Sequence, residues 1–164
     1  MASLGNIMCR KDDRTGDDLH RMIERLYPIC RSITGDGVRE TLNIICEHIP
    51  LEIREVPSGT DVFDWKVPDA WNIRDAYIKN SRGERIVDFQ KLNLHVLNYS
   101  VPVEKTVTLD ELKEHLFTLP DHPEWVPYRT SYHDRNWGFC LPHKQFLDLP
   151  EDDYEVKIDS TLES

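Results

Sequence analysis

Long apolar runs are missing from this 164-residue chain: no stretch approaches the ~20 residues that a membrane-spanning helix needs. Close cysteine pairs are missing too. Cys9, Cys30, Cys46 and Cys140 are scattered, with no C-x-x-C spacing, which argues against a zinc knuckle or a disulfide framework. Free thiols in a reducing cytoplasm are the expectation. Positive charge is scarce. Twenty Lys and Arg face 30 Asp and Glu, a formal net charge of -10. Such a surface repels phosphate backbones and anionic lipid, so neither nucleic acid nor a membrane is expected as a partner. Met1 to Asp18 is polar and charged and lacks the apolar core of a secretory signal. The common catalytic signatures are absent as well: no H-E-x-x-H, no G-x-x-x-x-G-K-[ST], no G-x-S-x-G, and no D-x-[DN]-x-[DN]-G calcium loop.

What is present is a globular composition, with 39% hydrophobic and 30% charged residues, in a length that buries a real core. Residues 1–16 carry no period and are expected to fray. Leu19, Met22, Ile23 and Leu26 then recur at helical spacing, with Asp17 or Asp18 able to cap the start. The segment from Cys30 through Gly35-Asp36-Gly37 reads as a tight connector. A second helix follows with Val38, Thr41, Leu42, Ile45 and Ile49 on one face, stopped by Pro50.

The pattern next turns to alternation. Leu51–Val56 reads as a strand, Pro57–Thr60 as a turn, and Phe63, Trp65 and Val67 as alternating positions. Trp71–Tyr77 reads as a strand, Asn80–Glu84 as a hairpin loop, and Arg85–Phe89 as its return. Leu94–Ser100 reads as one more strand of an antiparallel subdomain. Thr108-Leu109-Asp110-Glu111 is a capping box that opens a helix with a stripe of Leu109, Leu112, Leu116 and Leu119. Pro120, Pro123 and Pro127 forbid regular structure next. Trp137–Leu141 reads as a compact strand, Pro142 opens a short helix to about Leu149, and Tyr154–Asp159 is a last alternating strand. Only five residues follow Asp159, so the strand suggests a sheet that would continue beyond the chain.

Three segments carry a resemblance: LYPICRSITGDGVRETL, VPSGTDVFDWKVPDAWNIRDAYI and VPYRTSYHDRNWGFCL. Together they resemble the bacterial aminopeptidase-like family found beside polysaccharide-biosynthesis genes and catalogued as a domain of unknown function. The likeness runs from about Leu19 to Leu162. It implies similarity to zinc-dependent exopeptidases with an α/β core of the phosphorylase/hydrolase kind, a β-rich subdomain inserted near the N-terminus, and often a winged-helix-like domain at the end. The expected fold is therefore α+β: a helical hairpin, an inserted antiparallel β subdomain, and the start of an α/β sheet that is apparently truncated. The expected division is a flexible 1–16, a helical hairpin and first core strand over 17–56, the inserted subdomain with one capped helix over 57–135, and a return to the peptidase-like core over 136–164.

The resemblance also implies a catalytic zinc whose histidine and acidic ligands lie downstream of residue 164, so no metal ligand and no catalytic residue is carried onto this chain. Its expected role is scaffold and cleft wall of a hydrolase, with the missing C-terminal part of the peptidase as a potential partner. The other reading is a non-catalytic binding module for a sugar, a peptide or a protein.

Two clusters are candidates for a substrate cleft. Tyr132-His133-Asp134-Arg135 is the densest polar run; its arginine can pair a carboxylate, and the alternative is a solvated loop. Arg31, Ser32 and Thr34 lie in the glycine connector that opens a helix and can meet an anion through free N–H groups; the alternative is capping and packing. The histidines lack metal-site spacing, Cys140 reads as a buried small hydrophobe, and the four tryptophans read mostly as core.

Overall fold

The computed structural model describes residues 14–131 and 134–164, and it is a mixed helix and sheet structure with antiparallel sheets. The candidates Tyr132 and His133, and Cys9, lie outside the described residues. Helix α1 (Thr15–Leu26) and helix α2 (Asp36–Cys46) open the chain as a helical hairpin. Asp17 and Asp18 fall in the first turn of α1, where they complement the helix dipole rather than capping through a side chain. The bidentate Arg25–Glu47 pair, at 2.5 and 2.7 Å, ties the end of α1 to the residue after α2.

Strands β1 (Asp61–Val62) and β2 (Trp65–Lys66) make a small hairpin. The main sheet contains β3 (Ala70–Lys79), β4 (Arg85–Asp88), β5 (Val103–Thr108) and β8 (Asp153–Glu163) in the order β4-β3-β8-β5, with every pair antiparallel. Helix α3 (Leu109–Lys113), strands β6 (Leu116–Phe117) and β7 (Phe139–Cys140), which pair in parallel, and helix α4 (His143–Leu147) complete the chain. Among the described residues no helix is long and apolar enough to cross a membrane.

The sheet's inner face follows the period of two. Tyr154, Val156, Ile158 and Ser160 of β8 are buried and alternate with more exposed neighbours. Tyr154, Val156 and Ile158 join Ile78, Val87, Leu112, Phe139 and Leu141 in one core, and full burial of each large apolar side chain contributes about 1.5–3 kcal/mol. The outer face is a carpet of charge. Arg74 pairs with Asp159, Lys79 with Glu155 at 2.9 Å, Lys157 with Glu104 at 3.1 Å, and Arg85 with Asp75 at 2.7 Å. Tyr77 lies beneath both Lys79 and Arg85, 4.4 and 4.1 Å from its ring centre.

Several expectations are corrected. β8 does not begin a separate α/β sheet: it sits at the centre of the same sheet as β3, so residues 136–164 are not a return to another core. Pairing of distant strands decides this, and alternation alone does not encode it. Leu94–Ser100 is not a strand. A 3-10 turn over Asn93–His95 and a left-handed Tyr99 (φ 66) leave only single bridges from Val96 and Asn98. The capped helix stops at Lys113, so Leu116 enters β6 instead of a helical stripe. Leu51–Val56 forms no ladder with another described segment.

Candidate functional site

The glycine connector is built by close packing. A Cβ on Gly35 would lie 2.1 Å from the Trp71 carbonyl oxygen, and one on Gly37 would lie 2.1 Å from that of Cys30. Gly35 also has φ 90, which side-chain-bearing residues rarely adopt. The Gly35 contact presses the start of α2 onto β3, and the Gly37 contact folds the connector tightly against that start. Asn72 Oδ1 accepts the Asp36 N–H at 2.7 Å, so that amide is already taken.

The same packing delivers Thr34 to β3. Its hydroxyl donates to the Asp69 carbonyl at 3.0 Å and accepts from the Trp71 N–H at 3.3 Å. Thr34 Oγ1 also shares a 2.5 Å hydrogen bond with the Tyr99 phenol. Threonine has one hydroxyl proton, so with that proton on Asp69 the phenol is the donor. Ser32 adds a further hydrogen bond to this phenol; burial nevertheless dominates and raises the Tyr99 pKa. The Tyr99 ring stacks on Trp71 at 5.7 Å. A bulky residue held in the left-handed region is strained by about 1–3 kcal/mol, so its surroundings must over-determine it.

The second candidate cluster reaches the same place. Asp134 and Arg135 line a cleft of ≈ 590 Å³ together with Asp69, Tyr99, Trp65 and Lys66. Arg135 stands 3.9 Å from the Asp69 carboxylate, whose backbone holds Thr34. Lys66 pairs with Asp61. Asp64, Asp69 and Asp134 therefore set three carboxylates against two cations in one cleft, a lining that holds a polar ligand through ion pairs and hydrogen bonds. Thr34, Ser32, Asp134 and Arg135 converge around Tyr99, whereas Arg31 does not join them. Its guanidinium donates to Thr41 Oγ1 at 3.0 Å and to the Leu26 carbonyl, beside an apolar groove of ≈ 470 Å³ lined by Ile23, Leu26 and Tyr27. Asp69 and Tyr99 are cleft residues that sequence reasoning missed: Asp69 reads as an ordinary turn carboxylate, and nothing local in Leu94–Ser100 announces a left-handed tyrosine.

Nucleophilic and metal chemistry find little purchase. Burial pushes the Cys140 thiol up to about 12 and the Cys30 thiol up to about 11, so both are protonated at neutral pH. Four of the described histidines are occupied as tethers or stacks. His95 Nδ1 meets the Cys140 carbonyl at 2.7 Å, His115 Nδ1 the Trp137 carbonyl at 3.1 Å, and His143 Nδ1 the Thr118 hydroxyl at 2.9 Å. His122 stacks on Trp125 at 4.2 Å. Among the described residues, no group of three or more His, Cys, Asp or Glu is placed to hold a metal ion. Of the four tryptophans, Trp71 and Trp137 are core, while Trp65 and Trp125 are exposed.

The family description Domain of unknown function (DUF2172) matches residues 70–161, which span the four-stranded sheet except for the last two residues of β8. A Clostridium acetobutylicum protein, provisionally named a polysaccharide biosynthesis protein with aminopeptidase-like domain, is 58% identical over 158 residues, 96% of this chain. A crystal structure from the same organism, provisionally named a peptidase, superposes with a TM-score of 0.86 at 60% identity over 92% of this chain. The chain spans 36% of the length of each of these relatives.

Proposed function

Because the chain belongs to the family of domains of unknown function matched above, we propose that it serves as a non-catalytic portion of an aminopeptidase-like hydrolase, forming scaffold and one wall of its substrate cleft. The observation that carries this reading is the 58% identity, over nearly the whole chain, to a protein with an aminopeptidase-like domain nearly three times as long. The described residues offer no three-donor group for the zinc expected from the resemblance. Hydrolysis is therefore assigned to the part of the larger protein beyond the match. The Tyr99 cleft would contribute polar contacts to a bound peptide, with Asp64, Asp69 and Asp134 suited to an ammonium terminus and Arg135 to a carboxylate.

The test is hydrolysis of aminoacyl p-nitroanilides with added zinc. The purified chain is expected to give no turnover, and the full-length Clostridium relative is expected to give EDTA-sensitive turnover. EDTA-sensitive turnover by the chain alone would remove the non-catalytic assignment. A relative inert toward a full panel of aminoacyl substrates would remove the hydrolase.

A second reading, a sugar-binding module, is favoured by Trp65 lining the same cleft as Asp69, Asp134 and Arg135. Titration calorimetry with a glycan panel separates the two, since saturable binding abolished by Trp65→Ala favours the module.

A further inference from the structure

Another cavity of ≈ 470 Å³ opens between the β3–β4 loop, helix α4 and the proline-rich loop, and it shares no lining residue with the Tyr99 cleft. Its floor is apolar, made by Ile86, Leu149 and the fully buried Tyr154. Its rim is polar, and its two cations are already engaged: Lys144 with Glu124 at 3.3 Å, and Arg82 with Glu84 at 3.0 Å. Two acceptors on the rim are not engaged. The Asp148 carboxylate has no hydrogen bond or ion pair with any described residue, and Gln145 spends its amide N–H on the Ile86 carbonyl at 2.8 Å while its amide oxygen takes no described donor. Trp125 follows Glu124 in the chain, so its indole stands at the mouth of this cavity. The indole is 60% exposed, yet it is held. One face lies on the His122 ring at 4.2 Å and 11°. The Trp125 N–H donates to the His122 carbonyl at 3.0 Å, the Lys144 N–H fastens the Pro123 carbonyl to α4 at 3.1 Å, and Pro120, Pro123 and Pro127 stiffen the loop.

We propose that this cavity binds a neutral pyranose sugar, with the open face of Trp125 as its platform. A pyranose presents an apolar face of C–H groups and a rim of hydroxyl donors. The indole suits the first, and the Asp148 carboxylate and the Gln145 amide oxygen suit the second. A pocket with an apolar lining and a few placed polar groups is the usual form of a small-ligand site. The His122 stack and the prolines order the indole before any ligand arrives, which lowers the cost of ordering it on binding. Charge selects among sugars. Three rim carboxylates, Glu84, Glu124 and Asp148, outnumber the two engaged cations, so an acidic sugar is repelled and a neutral one is not. The site is independent of the Tyr99 cleft and stands whether or not the longer relatives hydrolyse peptides.

Titration calorimetry of this chain with cellobiose, maltose and N,N′-diacetylchitobiose tests the proposal, with glucuronic acid and a neutral tripeptide as competing chemistries. At least one neutral disaccharide is expected to bind saturably and more tightly than either competitor. Trp125→Ala weakens that binding by roughly tenfold or more, and Trp125→Phe restores most of it, because a flat ring is what the sugar face needs. Asp148→Asn weakens it several-fold, since a charged acceptor holds a hydroxyl about twice as strongly as a neutral one. Both positions are exposed, so each variant keeps the wild-type melting temperature, which separates a lost contact from a lost fold. Saturable binding by none of the three disaccharides overturns the proposal. Binding unmoved by Trp125→Ala overturns it, and so does binding lost on Trp65→Ala instead, which places the sugar in the Tyr99 cleft. Tighter binding of glucuronic acid or of the tripeptide than of every neutral disaccharide overturns the ligand class.

Discussion

Ser100→Ala tests how the strained Tyr99 is held. Ser100 is completely buried. Its Oγ donates to the Leu97 carbonyl at 2.6 Å and accepts the Gly138 N–H at 3.2 Å. Its own carbonyl accepts from Trp71 Nε1 at 3.0 Å and from Ser160 Oγ at 2.8 Å. Alanine removes only an oxygen, so the cavity is negligible. The Leu97 carbonyl keeps a partner, because the Ser100 N–H also donates to it at 3.0 Å. The Gly138 N–H is left buried without an acceptor, at a cost of about 1–3 kcal/mol. Ser160→Ala is milder, about 0.5–1.5 kcal/mol, because the Ser100 carbonyl retains the Trp71 indole. For a chain of this size 1 kcal/mol corresponds to roughly 2–4 °C in Tm. Urea titration and calorimetry should rank wild type above Ser160→Ala above Ser100→Ala. A Ser100→Ala variant as stable as wild type, or more stable than Ser160→Ala, would refute the claim that this knot restrains the backbone beside Tyr99.

Three further outcomes are expected. Phe63 has φ 52 at the tip of the β1–β2 hairpin and a fully exposed ring, so Phe63→Gly relieves strain without losing packing and raises stability by about 1 kcal/mol, read from the urea midpoint; a loss of stability would show that the ring is held by a contact. Alkaline pH destabilises the fold, because burial raises Cys30, Cys140, Tyr99 and Tyr154 above their ordinary values. Their contribution is full below pH 9–10 and is lost as pH rises through the folded values; for Cys140 alone, about 12 against 9.0 corresponds to at most about 4 kcal/mol, and Cys140→Ala should flatten the Tm profile above pH 9. Added zinc at 0.1 mM leaves Tm unchanged, whereas a site filled at 100 times its Kd would add about 2.7 kcal/mol; a clear upward shift would reveal a donor group that the described residues lack.

Local signals were legible and pairings were not. The N-cap at Thr108 was readable because its chemistry closes within four residues: the Thr108 hydroxyl accepts the Glu111 N–H at 3.4 Å, while the Glu111 carboxylate pairs with Lys105 at 2.5 Å instead of completing a capping box. The Asn80–Glu84 loop was readable for the same reason, since the Asn80 carboxamide accepts from Arg82 and Glu84 within the loop. The place of β8 was not readable, because its alternation suits any half-buried sheet and its partners lie more than 40 residues away. Leu94–Ser100 misled because its apolar residues are buried by tertiary packing while its backbone follows a 3-10 turn and a left-handed residue. In the cleft, Thr34 and Arg135 were flagged by residue type, but only the fold brings them to Tyr99.

The cleft's position follows from how the two parts of the chain are joined. The helical hairpin has little core of its own: α1 buries nothing, and α2 buries only Thr41 and Ile44. It is held to β3 by contacts that tolerate almost no displacement, namely Gly35 against the Trp71 carbonyl, the Asp36–Asn72 hydrogen bond, and the Thr34 bridge to Asp69, Trp71 and Tyr99. A rigid polar seam next to an uncovered apolar surface is wasteful for an isolated domain, since the seam orders the hairpin without burying its hydrophobic side. It is economical for a domain whose hairpin must be presented at a fixed angle to a larger body. The Tyr99 cleft lies on that seam, where Thr34 meets the Tyr99 phenol and Tyr99 shares an open groove with Asp134 and Arg135.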